Sequence, residues 1–116
     1  MADRSQLFSD IDSMDPERFA AHLAEDVTMR FGSAEPIQGR DAVRDAWAEF
    51  CDGLDGVSHE GLRRWESEEG TAAEANVTYT KKDGGTVTVP VATLWREGDG
   101  GITDYRIFID LAPLFA

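Results

Sequence analysis

The sequence predicts an α+β fold, with helices packed on one face of an antiparallel sheet. Two observations carry this. Apolar residues recur at helical spacing through roughly the first half of the chain and at strand spacing through the second. The strand-like half is cut by Glu68-Glu69-Gly70, Lys82-Asp83-Gly84-Gly85 and Glu97-Gly98-Asp99-Gly100-Gly101, which are hairpin turn signals. Helices first and a strand meander after is the order of that class. At 116 residues the chain has room for one domain, spanning 1–116.

The elements follow in order. From about Asp3 to Ser13, Leu7, Phe8 and Ile11 share a helical face. Asp15 is suited to cap a second helix and Pro16 to its first turn, so two short helices meet at a sharp break near Met14. Phe19, Ala20 and Leu23 form the apolar stripe of the second. Val27, Met29 and Phe31 alternate with Asp26, Thr28 and Arg30, the period of a half-buried strand. Residues 32–36, Gly-Ser-Ala-Glu-Pro, read as a loop. A third helix is predicted over about Arg40 to Leu54, with Ala42, Val43, Ala46, Trp47, Phe50, Cys51 and Leu54 on one face and Asp-Gly pairs closing it. Four strands follow, roughly Val57–Glu66, Thr71–Thr80, Thr86–Arg96 and Ile102–Leu111.

Composition excludes several classes of function. The net charge of −12 repels nucleic acid and anionic membranes, and solubility is its plainest meaning. Lysine occurs only at Lys81 and Lys82, an acidic, Arg-dominated balance that fits a salt-rich cell or a GC-rich genome equally. One cysteine, Cys51, forms no internal disulfide and reads as a packed free thiol. The start, Met1-Ala2-Asp3-Arg4-Ser5, has no apolar run, and no stretch reaches the length of a membrane span, so a cytoplasmic protein without a signal peptide is expected. Two histidines without clustered carboxylates predict no metal site, and the glycines sit in turns rather than in a phosphate loop, so no cofactor is expected.

Three segments then add a resemblance. Leu23-Ala24-Glu25-Asp26-Val27 is similar to the close of the second helix and opening of the first strand in the NTF2-like (SnoaL-like) superfamily. Gly39-Arg40-Asp41-Ala42-Val43 looks like the start of that superfamily's third helix, and residues 100–110, Gly-Gly-Ile-Thr-Asp-Tyr-Arg-Ile-Phe-Ile-Asp, like its last strand. With the element order, the resemblance covers nearly the whole chain. It implies a curved antiparallel sheet, a cone or half-barrel, wrapped around three N-terminal helices with a largely apolar pocket. The last strands look nearest to limonene-type epoxide hydrolases and polyketide cyclases. The fold hosts isomerases, cyclases, hydrolases, dehydratases and non-enzymatic binders, so it does not name a reaction.

Carried over residue by residue, two familiar catalytic sets are missing. The steroid isomerase base falls on Phe31 and its oxyanion-hole tyrosine on Leu7. The epoxide hydrolase set falls on Glu74, Asn76, Ile107, Met29 and Phe31. Glu74 and Asn76 are the polar survivors. Two apart on a strand, they share a face, and if that face is concave a desolvated Glu74 is a candidate acid or base beside an amide. Asp110 is the third catalytic candidate, since some cyclases of the family use an Asp near the end of the barrel. Asp104 and Arg106 read as a surface charge ladder with it. His59, on the first long strand, is a candidate proton carrier, although a lone strand histidine is more often a surface or capped residue. His22 has no evident partner.

If the family register holds, Met29, Phe31, Trp47, Thr78, Val89, Val91, Tyr105, Ile107 and Ile109 line a mostly apolar pocket for a small hydrophobic molecule. Three readings stay open. The first is an enzyme of cyclase, isomerase or epoxide hydrolase type with Glu74 as acid/base. The second is a non-catalytic ligand-binding or accessory protein. The third is a structural dimer with a filled cone. A homodimer is expected through the outer sheet face, where Pro90, Ala92 and Leu94 form an apolar strip.

Overall fold

A computed structural model describes residues 4–115. Met1, Ala2 and Asp3, where the first helix and the charged start were read, lie outside the described residues. Three α-helices and six strands are present among the described residues, in the order α1 (Leu7–Asp12), α2 (Pro16–Ala20), β1 (Leu23–Phe31), β2 (Ile37–Gln38), α3 (Arg40–Asp52), β3 (Leu54–Ser67), β4 (Gly70–Lys81), β5 (Thr86–Gly98) and β6 (Gly101–Ile109). A short 3-10 turn, Ala112–Phe115, follows. The fold is α+β, as the sequence predicts.

Local chemistry accounts for the boundaries. The Asp15 carboxylate accepts the Glu17 backbone N–H at 3.0 Å and Pro16 occupies the first turn, which starts α2. Met14, with φ 61°, turns the chain between α1 and α2 and is the break expected there. In α3 the buried stripe is Val43, Trp47 and Cys51, four residues apart at each step. Ala42 is exposed rather than part of the stripe, and Leu54 already opens β3, because Gly53 ends the helix two residues early. β1 starts at Leu23 rather than Asp26, since Leu23 is already paired with Ile102.

The strands form one sheet in the order β2-β1-β6-β5-β4-β3. All neighbours are antiparallel except β1 and β6, a parallel pair that closes the N-terminal strand onto the C-terminal one. The meander β3 to β6 follows the hairpin signals. The two-residue β2 is too short for a periodicity to reveal. Register shifts interrupt β3–β4 between Glu60 and Arg63, where Gly61 has φ 69°, and β5–β6 at Arg96 and Glu97. Such bulges bend a strand and deepen its twist, which curves the sheet around the helices. Pro90 sits one residue beyond the last β5–β6 pair, Val91–Ile109, where β5 has a neighbour on one side only. A strand tolerates proline in such a place.

The helices cover the concave face, and the core lies between them. Leu7, Leu23, Val27, Val43, Val77, Ile102 and Tyr105 are essentially inaccessible to solvent. The N-terminal segment is further tied down by polar contacts. Arg4 reaches Glu97 at 2.8 Å and His22 Nδ1 at 3.1 Å, while Asp10 holds His22 Nε2 at 2.7 Å and Arg18 at 2.9 Å. His22 is therefore buried and partnered on both ring nitrogens, contrary to the expectation that it stands alone; its partners lie 12 and 18 residues away in sequence.

Candidate functional site

Alternation along β4 decides the site. Ala73, Ala75, Val77 and Tyr79 point into the core, and the residues between them point outward. Glu74 and Asn76 therefore lie on the outer, solvent-facing side of the sheet, where Glu74 stands 3.9 Å from Arg63. The expectation of a desolvated Glu74 is corrected: a register offset of one residue reverses the face of every side chain on the strand. Thr78 shares that outer face, and its hydroxyl meets Thr88 at 2.8 Å. Asp110 is exposed and accepts the backbone N–H of Ala112 at 2.9 Å, capping the C-terminal turn. Arg106 pairs with Asp104 at 3.3 Å, the surface ladder anticipated for them.

The inner face carries a small cavity of about 30 Å³. Six of the residues expected to line it do so: Met29, Phe31, Trp47, Val91, Tyr105 and Ile107. Val89 is buried in the core away from it, and Ile109 is only partly buried, at the edge of the core. The rest of the wall is Ile11, Phe19, Val57 and three polar-tipped residues, His59, Tyr79 and Thr93. Tyr79 has the inward parity of β4, opposite to the one expected there; Thr93 shares the inward parity of Val91 on β5, which was expected, but was not counted among the lining residues.

His59 is the best-defined polar group there. Its backbone N–H donates to one Asp12 oxygen at 2.9 Å, and its Nδ1 meets the other at 2.6 Å. Asp12 ends α1, and α1 packs on β3, which brings together residues 47 positions apart. With Nδ1–H donating to the carboxylate, the neutral imidazole keeps Nε2 as an unprotonated acceptor. The Phe8 ring lies 5.0 Å from the imidazole and shields it from water. The side chain of His59 is 10% exposed and that of Asp12 is 25% exposed. In the sequence, Asp12 looks like any acid on a helix surface; its place beside Ile11, at the border of the apolar stripe, was the one available signal.

The tyrosines share this environment. Burial raises the Tyr79 hydroxyl well above its ordinary pKa, with Cys51 and then Asp12 adding to the effect. Burial also raises Tyr105, with further contributions from Tyr79 and Asp12, opposed by a hydrogen bond with Thr93. Both hydroxyls thus stay protonated and can donate. Burial, and then Asp52, pushes the Cys51 thiol up to about 11. Two buried indole N–H groups, those of Trp47 and Trp95, have no hydrogen-bond partner among the described residues. Nor do the described residues contain a group of three or more His, Cys, Asp or Glu placed to hold a metal ion.

The SnoaL-like domain model matches residues 5–105. The chain belongs to the SnoaL-like family. Solved structures share this SnoaL-like fold at low identity. A candidate polyketide cyclase from Xanthomonas campestris pv. campestris is 18% identical with a TM-score of 0.81, over 93% of this chain and 87% of that one. A protein of ketosteroid isomerase-like fold from Catenulispora acidiphila, in complex with trimethylamine, gives 18%, 0.81, 93% and 85%. TerC, co-crystallised with polyporic acid, gives 17%, 0.78, 93% and 88%. No curated protein matches the sequence. Among the described residues, no helix is long and apolar enough to cross a membrane.

Proposed function

We propose that this single SnoaL-like domain, spanning 1–116, binds a small hydrophobic molecule in its cone and moves a proton on it, with His59 as the acid/base and Asp12 as its positioning residue. The observation that carries this is the 2.6 Å contact between His59 Nδ1 and Asp12 at the wall of an apolar cavity. The reaction class that suits such a set is proton transfer next to a carbonyl, as in isomerisation or aldol-type cyclisation. His59 Nε2 takes the proton from the α-carbon, the C–H electron pair moves into the enolate, and a tyrosine hydroxyl of Tyr79 or Tyr105 donates a hydrogen bond to the developing oxyanion. His59 then returns a proton to the carbon. The polyketide cyclase and polyporic acid relatives favour the same kind of ligand. Glu74 has no part in it.

Exchange of α-protons for deuterium in 1-indanone, followed by NMR in D2O, tests the proposal. His59→Gln is expected to lower the catalysed rate by about 10²-fold. Asp12→Asn should lower it less and alter its pH profile, because it disturbs the tautomer and not the base. Exchange no faster with the wild-type protein than with His59→Gln would sink the catalytic reading. A second reading, a binding or dimeric accessory domain without chemistry, is favoured by the cavity size. About 30 Å³ holds one or two waters, so a larger ligand must displace side chains such as Phe31 and Phe50, which meet edge-on at 5.0 Å. Both readings place the protein in the cytoplasm as a homodimer paired through its outer sheet face.

A further inference from the structure

We infer that Trp47 is a ligand-binding residue whose indole Nε1–H donates to an oxygen of the cone's occupant, and that this occupant is an uncharged, oxygen-bearing ring compound such as a ketone. The inference rests on the reading of the cone as a ligand site. Trp47 lines the cavity, is only 6% exposed, and its Nε1 is buried without a partner among the described residues. A buried donor left unmet is costly, and in folded proteins such groups nearly always have a partner. The neighbours of the ring do not supply one. Phe50 stacks on it at 5.5 Å and Phe19 stands edge-on at 6.0 Å. A ring face is at best a weak acceptor, which a carbonyl oxygen outcompetes.

Charge narrows the class. Among the described residues no lysine or arginine lines the cavity, and the nearby Asp12 carboxylate is one of the causes that raise both tyrosines, so an anion entering the cone meets repulsion and no fixed counter-charge. The Trp47 indole can only donate; the hydroxyls of Tyr79, Tyr105 and Thr93 can donate as well as accept, and His59 Nε2 accepts. An oxygen acceptor on an otherwise apolar ring matches this set; a hydrocarbon leaves the donors unmet, and a carboxylate is repelled. Trp47 would thus hold the ligand's oxygen and fix which carbon faces His59.

The test uses the whole protein with 15N-labelled tryptophan, whose three indoles, those of Trp47, Trp65 and Trp95, give separate signals. 1-Indanone, indane and indane-1-carboxylate are titrated in turn, and Trp47→Phe assigns the signal. The Trp47 indole proton should move downfield with 1-indanone and not with indane. Trp47→Phe should weaken 1-indanone about tenfold and leave indane unchanged. The carboxylate should bind far more weakly than the ketone. If ketone and hydrocarbon bind but move the Trp47 signal alike and tolerate Trp47→Phe equally, the role of Trp47 is overturned while the cone remains a ligand site. If the carboxylate binds as tightly as the ketone, the uncharged class is overturned. If neither neutral compound binds the wild-type protein, the cone reading falls and this inference with it. Should Trp47→Phe fail to fold, Trp65→Phe and Trp95→Phe assign the other two signals, and the wild-type shift of the remaining indole decides.

Discussion

At the scale of single residues, three buried acids share one fate. Cys51, Tyr79 and Tyr105 are each held neutral chiefly by burial, Cys51 with its pKa pushed up to about 11 from an ordinary 9.0 and the tyrosines raised from 10.0. A group with a raised folded-state pKa retains its proton in the native protein where the unfolded chain has lost it. Below about pH 8, a unit under the ordinary thiol pKa, the two states bind equal numbers of protons at these sites and stability does not depend on them. Above about pH 8 the unfolded thiol begins to ionise, the tyrosines follow, and stability falls as pH rises. Chemical denaturation between pH 7 and pH 10.5 should therefore show a midpoint that is level up to about pH 8 and declines beyond it, at unchanged slope. In the same buffers Cys51 should resist a disulfide reagent at pH 8 in the folded protein and react at once in denaturant. A thiol that reacts at the same rate in both states would mean that Cys51 is not packed as described.

At the scale of elements, the turn between β5 and β6 has little freedom. Gly101 has φ +125°, and a Cβ there would come within 2.9 Å of the His22 carbonyl and 3.0 Å of the Ala24 backbone nitrogen. The Ile102 N–H bonds to that same carbonyl, so this backbone contact is where β6 docks beside β1. Gly101→Ala combines a strained φ with a backbone clash and should destabilise the protein by about 1–3 kcal/mol, read as a shift of the denaturation midpoint. Gly84→Ala, also at positive φ (+88°) but with open space around it, should cost less. These glycines show what a sequence displays. Hairpin turns, the Asp15-Pro16 start and the 43/47/51 stripe each act within a few residues, and each was legible. Strand register was legible only in part: the inward faces of β1, β5 and β6 have the expected parity and that of β4 does not. β4 reads Thr-Ala-Ala-Glu-Ala-Asn-Val-Thr-Tyr-Thr, where small and polar residues occupy both faces, so the inward set could be set only by analogy. The His59–Asp12 and His22–Asp10 pairs were hidden for a related reason: they depend on how α1 and the residues after α2 settle on the sheet, and no local pattern carries that.

At the scale of the whole molecule, the helices cover one side of the sheet and leave the other bare. Trp65, Leu94 and Phe108 are 54%, 43% and 53% exposed, and the pairings Trp65–Ala72–Leu94 and Ala92–Phe108 make them neighbours in two adjacent rows. Apolar side chains gathered on a twisted sheet are a costly surface for a monomer. The charges around them have both signs, Arg63 beside Glu74 and Arg106 beside Asp104. In a chain of net charge −12, this balance is local, and it makes the face complementary to itself, as a two-fold interface requires. A stable pair needs about 800 Å² from each partner. The wild-type protein should therefore sediment as a dimer at high micromolar concentration. Leu94→Asp and Phe108→Asp, which bury a charge only in the dimer, should shift it to monomer while leaving the far-ultraviolet spectrum of the fold unchanged. Sedimentation of the wild-type protein as a monomer would mean that the bare face serves something other than self-association. The same variants also separate assembly from chemistry. The cavity lies on the opposite side of the sheet, so a monomeric variant that still exchanges the α-protons of 1-indanone would show that each chain carries a complete site.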